Sequence, residues 1–314
     1  MTNKDYLDDN HPCLIRKGSR RLKQLTVNEY IRKKYGGKLY KIAINAGFTC
    51  PNRDGTLGSG GCIFCSGLGS GDFAESASLS VTEQIEAGKK RVAAKLSGDF
   101  KGYIAYFQAF TNTYAPIDRL REVYNEAVRH PDIRIISIAT RPDCLGEDVL
   151  KLLEEINNIK PVWVELGLQT IHEKTAKYIR RGYPLEVYDR AVKELRLRGL
   201  EVITHVILGL PFESREEMLK TVKYVGTSGA TGIKLQLLHV LKNTDLADEY
   251  AKGVFRCLTF EEYILLVKDA LDLLPEDIII HRMTGDGDKK LLIAPEWSGD
   301  KKKVLNMLNR VLKG

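Results

Sequence analysis

Residues 47–67 read GFTCPNRDGTLGSGGCIFCSG and follow directly on a short apolar run at 39–45. Eleven residues separate Cys50 from Cys62, and two separate Cys62 from Cys65. Glycine and polar residues fill the long gap, a composition that lets the backbone bend around a bulky object. Three thiolates are one short of a closed tetrahedral zinc site; Cys13 or a distant histidine could supply the fourth ligand. A 4Fe–4S cluster also normally takes four thiolates, so three would leave one iron open to a substrate or cofactor. Three reduced cysteines without any metal are the remaining alternative.

Outward from this loop, short apolar runs alternate with amphipathic helical patterns. Strands are expected at 39–45, 102–108, 133–139, 162–168, 202–208 and 233–239, with a seventh at 277–282. Their nearly continuous apolar character suits strands covered on both faces. Helices are expected at 81–96, 116–130, 147–157 and 185–198, the last stopped by Gly199 in the left-handed conformation. Ser80 with Glu83, Ser214 with Glu217 and Thr259 with Glu262 have capping-box spacing. Strands alternating with helices imply βαβ units and a parallel sheet. Periodicity leaves two α/β architectures open, a partial (βα)6 barrel and a doubly wound sheet. In both, ligands bind at the carboxyl ends of the strands. Polar residues there are candidates to face a substrate: Asn112, Arg141, Asp143, His205, Lys234, Gln236, His239, Arg282 and Asp286. Cys144 is a minor candidate for a second-site thiol, whereas Cys13 and Cys257 read as structural.

The bulk composition agrees with a folded globular chain. It has 314 residues, 43% hydrophobic and 28% charged. No apolar run approaches the ~18 residues that suggest a membrane span. The opening MTNKDYLDDNHP lacks an apolar signal core, so a cytoplasmic location is expected. Six cysteines in so long a chain point to metal binding or catalysis rather than a disulfide framework. The net charge is +7, with basic clusters at Lys17, Arg20, Arg21 and Lys23, at Arg32, Lys33 and Lys34, at Lys89, Lys90 and Arg91, and at Lys289, Lys290 and Lys301 to Lys303. Several such clusters make a polyanion partner an expectation.

The cysteine loop, with its aromatic Phe64 before the last cysteine, resembles the radical S-adenosylmethionine (SAM) signature. The first gap is longer than the usual three residues, as in the Elongator catalytic subunit and its relatives. The loop is most similar to that of the YhcC/YtqA-type radical SAM proteins. The likeness extends through GYIAYFQAFTNTYAP (102–116), SIATRPDC (137–144), ELGLQT (165–170), RRGYP (180–184), HVILGLPFES (205–214) and HRMTGDG (281–287). It implies a partial (βα)6 radical SAM barrel at 36–275, between a basic extension at 1–35 and a C-terminal extension at 276–314. It further implies a 4Fe–4S cluster on Cys50, Cys62 and Cys65, whose open iron binds SAM, and reductive cleavage of SAM followed by hydrogen abstraction from substrate.

By the same resemblance Phe64 would lie beside adenine and Gln108 near the methionyl amine, although relatives place a Gly-Gly-Glu-like segment there. Glu165 would bind the ribose hydroxyls, with Gln169 in the same motif, and Arg181 the methionyl carboxylate. Leu208 and Gly209 would run along adenine. The implied partners are a tRNA and an electron donor such as flavodoxin or ferredoxin, with no membrane. The implied reaction processes a 5-carboxymethylaminomethyl side chain on the wobble uridine, giving 5-aminomethyluridine. Arg20, Arg21, Lys23 and Arg32 to Lys34 would place tRNA over the open face of the barrel. Two other readings stand beside this one: a radical SAM enzyme of small-metabolite chemistry, and a non-catalytic iron–sulfur or zinc RNA-binding protein.

Overall fold

All seven expected strands form, and their order decides the architecture. In this computed structural model, which describes residues 22–69, 71, 74–285 and 287–313, they are β1 (Lys38–Ile44), β2 (Phe100–Phe107), β3 (Ile133–Thr140), β4 (Val162–Gln169), β5 (Glu201–Leu208), β6 (Gly232–Leu237) and β8 (Ile279–Arg282). The short β7 (Val240–Leu241) and β9 (Leu292–Ala294) pair separately as an antiparallel ribbon. The main sheet runs β1-β2-β3-β4-β5-β6-β8, with every pairing parallel. A doubly wound sheet reverses its strand order at a switch point. Here there is no reversal, and the sheet curls into an open half-barrel. The strand expected at 233–239 is cut short at Leu237 and resumes as β7.

The helices are α1 (Val27–Tyr35), α2 (Val81–Val92), α3 (Ile117–Arg129), α4 (Glu147–Asn157), α5 (Glu173–Tyr178), α6 (Leu185–Leu197), α7 (Arg215–Thr227), α8 (Asp245–Ala251), α9 (Phe260–Leu273) and α10 (Lys301–Lys313). The three capping boxes read from the sequence start α2, α7 and α9, and Thr26 with Glu29 makes a fourth at α1. Gly199 takes the left-handed conformation (φ +69°) just after α6. No helix among the described residues is long and apolar enough to cross a membrane.

Side-chain alternation along each strand sorts the barrel into an outside and a lumen. Outward residues such as Ile42, Phe107, Ile138, Val164, Val206 and Leu235 join the helices in the main core. Inward residues form layers. The lowest layer is Leu39, Ile104, Ile135, Trp163 and Ile203, closed by Ile31 of α1. Thr26 bridges Ile280 of β8, and the Ile280 amide donates to the Leu25 carbonyl at 2.9 Å. α1 therefore stoppers the amino-terminal mouth of the barrel.

That position corrects one expectation. Arg32, Lys33 and Lys34 lie on α1, at the mouth opposite the cysteine loop. Arg32 pairs with Asp99 at 3.2 Å and Lys34 with Glu201, the first residue of β5, at 2.8 Å. They do not overlook the open face, because amphipathic α1 must turn Ile31 into the lumen floor. Lys17, Arg20, Arg21, Cys13 and Asp286 lie outside the described residues.

Candidate active site

The loop after β1 is held in shape by its own backbone. The Arg53 amide donates to the Cys50 carbonyl at 2.8 Å, Gly61 to Asn52 at 2.7 Å and Cys65 to Cys62 at 3.0 Å. The Arg53 guanidinium crosses the loop to the Cys65 and Ser66 carbonyls at 3.0 and 2.7 Å. Gly61 has φ +73°, and a Cβ there would sit 2.9 Å from Arg53 Nε. A side chain at that position would therefore displace the brace.

Cys50, Cys62 and Cys65 all line one cavity of about 250 Å³ at the carboxyl end of the strands. All three are free thiols. Burial pushes the Cys62 thiol up to about 12, and nearby Cys65 adds to the rise while Arg141 opposes it. Such a thiol ionises readily only when a cation is brought beside it, its proton passing to solvent. A single zinc holds its sulfurs roughly 3.8 Å apart, from bonds of about 2.3 Å in tetrahedral array. The only described trio of metal-ligand atoms within 4.8 Å of one another is Glu86, His130 and Asp132, so the three thiols are spread more widely. A donor set of three thiols spread in this way would suit a cluster of several irons better than one zinc ion.

The other expected residues divide. Phe64, Gln108 and Gln169 line the same cavity. Gln169 ends β4 at φ +69°, and its buried Oε1 has no hydrogen-bond partner. A strained backbone and an orphaned buried acceptor together mark a position shaped for something outside the chain. Leu208 instead turns outward into the main core, and neither it nor Gly209 lines the cavity. The inward residue on that stretch is Ile207.

Glu165 and Arg181 reach the cavity already engaged. Glu165 Oε1 accepts from Lys41 at 3.0 Å and from Ser137 at 2.8 Å. Its Oε2 meets His205 at 2.7 Å and accepts a close contact from Lys234. A carboxylate has about four lone-pair sites, and all four are filled here. Glu165 is thus not free to take ribose hydroxyls. Arg181 donates to the Tyr183 and Thr170 carbonyls at 2.9 and 2.6 Å and to Glu173 at 2.8 Å. Three of its five N–H groups hold the turn after β4, so it is a poor partner for the methionyl carboxylate.

Above the apolar floor, the second lumen layer is charged. It comprises Lys41, Tyr106, Ser137, Glu165, His205 and Lys234, one from each of β1 to β6, with Arg282 of β8 beside Lys234. Burial alone would raise the Glu165 carboxyl, but Lys234 and Lys41 together hold it well below the usual range. Burial drives the Lys234 amine well below the ordinary lysine range, and Glu165 only partly offsets this. Burial, with Lys234 alongside, pushes His205 down to about 4.

The site list drawn from the sequence omitted Lys41 and Tyr106, and it counted Arg141 only as a strand-end polar residue. Arg141 lines the cavity, pairs with Asp143 at 2.7 Å, and lies over the Tyr183 ring at 5.2 Å. The signal for Lys41 was a lysine at an inward position of an otherwise apolar strand, in line with Lys234.

The chain is similar to known proteins along most of its length. Residues 48–225 match the model of the Radical SAM superfamily, and residues 230–313 match the Radical_SAM C-terminal domain. The chain is 46% identical over 287 residues to the uncharacterized protein YtqA of Bacillus subtilis, covering 91% of this chain and 88% of that one. It is 27% identical over 165 residues to a tRNA uridine(34) acetyltransferase of Methanocaldococcus jannaschii, covering 52% of this chain and 30% of that protein. Among solved structures, the archaeal Methanocaldococcus infernus Elp3 superposes with a TM-score of 0.65 over 88% of this chain and 64% of that one. At 18% identity the last likeness speaks for the fold alone.

Proposed function

We propose that this protein, which belongs to the radical SAM superfamily, remodels the substituent at carbon 5 of the wobble uridine in tRNA. Family membership makes it a radical SAM enzyme that binds a 4Fe–4S cluster and SAM and needs a reductant. That sets aside the non-catalytic reading. When bound, cluster and SAM supply hydrogen abstraction from substrate; the chain contributes binding, orientation and exclusion of water. We assign Cys50, Cys62 and Cys65 to the cluster. Phe64, Gln108 and Gln169 are assigned to SAM, with Gln169 Oε1 as an acceptor for a cofactor N–H or O–H. Arg141 offsets the negative charge of the thiolates. Flavodoxin or ferredoxin would deliver the electron.

The observation that carries the substrate reading is the charge of the second lumen layer. Lys234 and Arg282 line the floor of the cavity that the three thiols border, beside one carboxylate, Glu165, which Lys41 also contacts. Burial disfavours the charge on Lys234 and Glu165 only partly restores it, so an anion arriving beside it would be favoured. The carboxylate of a 5-carboxymethylaminomethyl group meets that need; two-electron oxidation of its glycyl methylene to an imine at the expense of SAM, then hydrolysis, would release the carboxymethyl part as glyoxylate and leave 5-aminomethyluridine. The kinship with an enzyme named for uridine 34 of tRNA supports RNA as the bearer of the group. Mass spectrometry of tRNA nucleosides from a deletion strain tests the reading. The carboxymethylaminomethyl nucleoside should accumulate and the aminomethyl nucleoside should fall. An unaltered nucleoside profile would refute the substrate and leave the enzyme class standing.

A further inference from the structure

We infer that the β7–β9 ribbon and the neighbouring Phe212–Tyr178 pair form the rim on which an RNA docks, lysines on the phosphates and Phe212 on a base. The inference rests on the RNA reading above and places that RNA on one part of the surface.

The ribbon borders the cavity, since Leu241 of β7 and Gly287 line it. Lys242 follows β7, and its amide donates to the Leu291 carbonyl at 2.8 Å, which sets it beside the turn that carries Lys289 and Lys290. Asp288 fixes that turn: its side chain accepts from the Lys290 amide at 2.9 Å and its carbonyl from the Leu291 amide at 3.0 Å. Lys242, Lys289 and Lys290 are exposed, and none makes an ion pair among the described residues. The cations at the other mouth differ, because Arg32 and Lys34 are already paired with carboxylates.

The aromatic part is a separate observation. Phe212, just past β5, is 58% exposed with φ +66°. A bulky residue in the left-handed region is strained, and an exposed ring also forgoes burial. Tyr178 packs against the ring in a T-shaped pair at 5.1 Å, which covers at most one of its two faces. Tyr178 in turn donates to Glu249 of α8, and Arg180 pairs with Asp245 of the same helix. Because α8 begins only a few residues after β7, the strip from Phe212 through Tyr178 and α8 to Lys242 is continuous.

Single-stranded RNA is bound by stacking its bases on aromatic rings and neutralising its phosphates with Lys and Arg. Chemistry on a base within a cavity also requires that base to leave its stack. A ring and a lysine cluster beside the mouth supply both contacts for the nucleotides flanking an extruded one.

The test uses cluster-loaded protein and a synthetic anticodon stem-loop RNA, with binding followed by fluorescence anisotropy across a salt series. The variant with Lys242→Ala, Lys289→Ala and Lys290→Ala should flatten the log-affinity against log-salt slope by about 2, at about 0.7 per phosphate contact. Phe212→Ala should weaken binding about tenfold at every salt concentration with the slope intact, and Phe212→Trp should restore it. Arg32→Ala with Lys33→Ala should leave the slope where it was. Normal wild-type binding with an unchanged slope in the triple variant overturns the rim and spares the RNA reading. Wild-type protein that binds no RNA overturns both. If the triple variant keeps its RNA slope but is reduced more slowly by flavodoxin, the lysines dock a protein and the inference falls.

Discussion

Glu165 accepts from Lys41, Ser137, His205 and Lys234, so its charge is tied to the stability of the barrel interior. Glu165→Gln keeps the shape and removes the charge, leaving Lys41 and Lys234 without their counter-ion. Breaking a buried pair in this way costs about 3–5 kcal/mol, readable as a fall in the urea midpoint. Unchanged stability with lost SAM binding would instead return Glu165 to the ribose. His205 yields a pH dependence. Its folded value of about 4 lies below the ordinary 6.5, so between these limits the unfolded chain binds more protons. Stability is therefore full above about pH 6.5, falls as pH drops toward 4, and loses nothing further from this group below that, to an extent on the order of 3 kcal/mol. His205→Gln should flatten the slope of unfolding free energy between pH 6.5 and 5 relative to wild type. Equal slopes in the two proteins would mean that His205 is not held neutral.

At the scale of elements, α1 tests whether the floor of the barrel depends on a stopper. Ile31 is 3% exposed and packs on Leu39, Ile104, Ile135, Trp163 and Ile203, which belong to five different segments of sheet. Ile31→Ala should cost about 2–5 kcal/mol in chemical denaturation, whereas Leu273→Ala on the exposed side of α9 should stay within about 0.5 kcal/mol. Equal effects would mean that α1 is detachable from the core. The elements themselves were legible because each carries its own signal: apolar runs for β1 to β6, capping boxes for α2, α7 and α9, and Gly199 after α6. Two things were not. Nothing local in Val27–Tyr35 says which mouth of the barrel the helix covers, because that depends on its pairing with β8 some 250 residues later. Nor does Glu165 reveal its four donors, which come from four other strands. The cysteine loop was readable because its three ligands are close in sequence; the charged layer was not, because its members meet only once the sheet has curled.

For the molecule as a whole, the cysteine loop is the point where distant parts of the chain are tied together. Thr49 accepts from the Thr111 amide at 3.2 Å, Ile63 donates to Ile179 at 3.4 Å, and Ile63 accepts from the Leu246 amide of α8 at 3.0 Å. Asn52 Nδ2 donates to the Arg180 carbonyl at 2.7 Å. Loops after β2 and β4 and the helix after β7 all lean on a segment with no regular structure of its own. A group that binds only the folded loop stabilises everything the loop holds. Loading the cluster should therefore slow amide hydrogen exchange within residues 50–65 and also at Leu246 and at Arg181, whose amide bonds the Ala176 carbonyl at 2.8 Å. Cys50→Ala, Cys62→Ala and Cys65→Ala should each lose the iron, about four atoms per chain, together with that remote protection. Cys144→Ser, whose thiol is half-buried beside Asp143, should keep both. Exchange measured on loaded and iron-free wild-type protein separates the possibilities. Protection confined to the cysteine loop would show that α8 and the turn after β4 are held by their own packing, and iron retained in all three alanine variants would remove the cysteines from the cluster altogether.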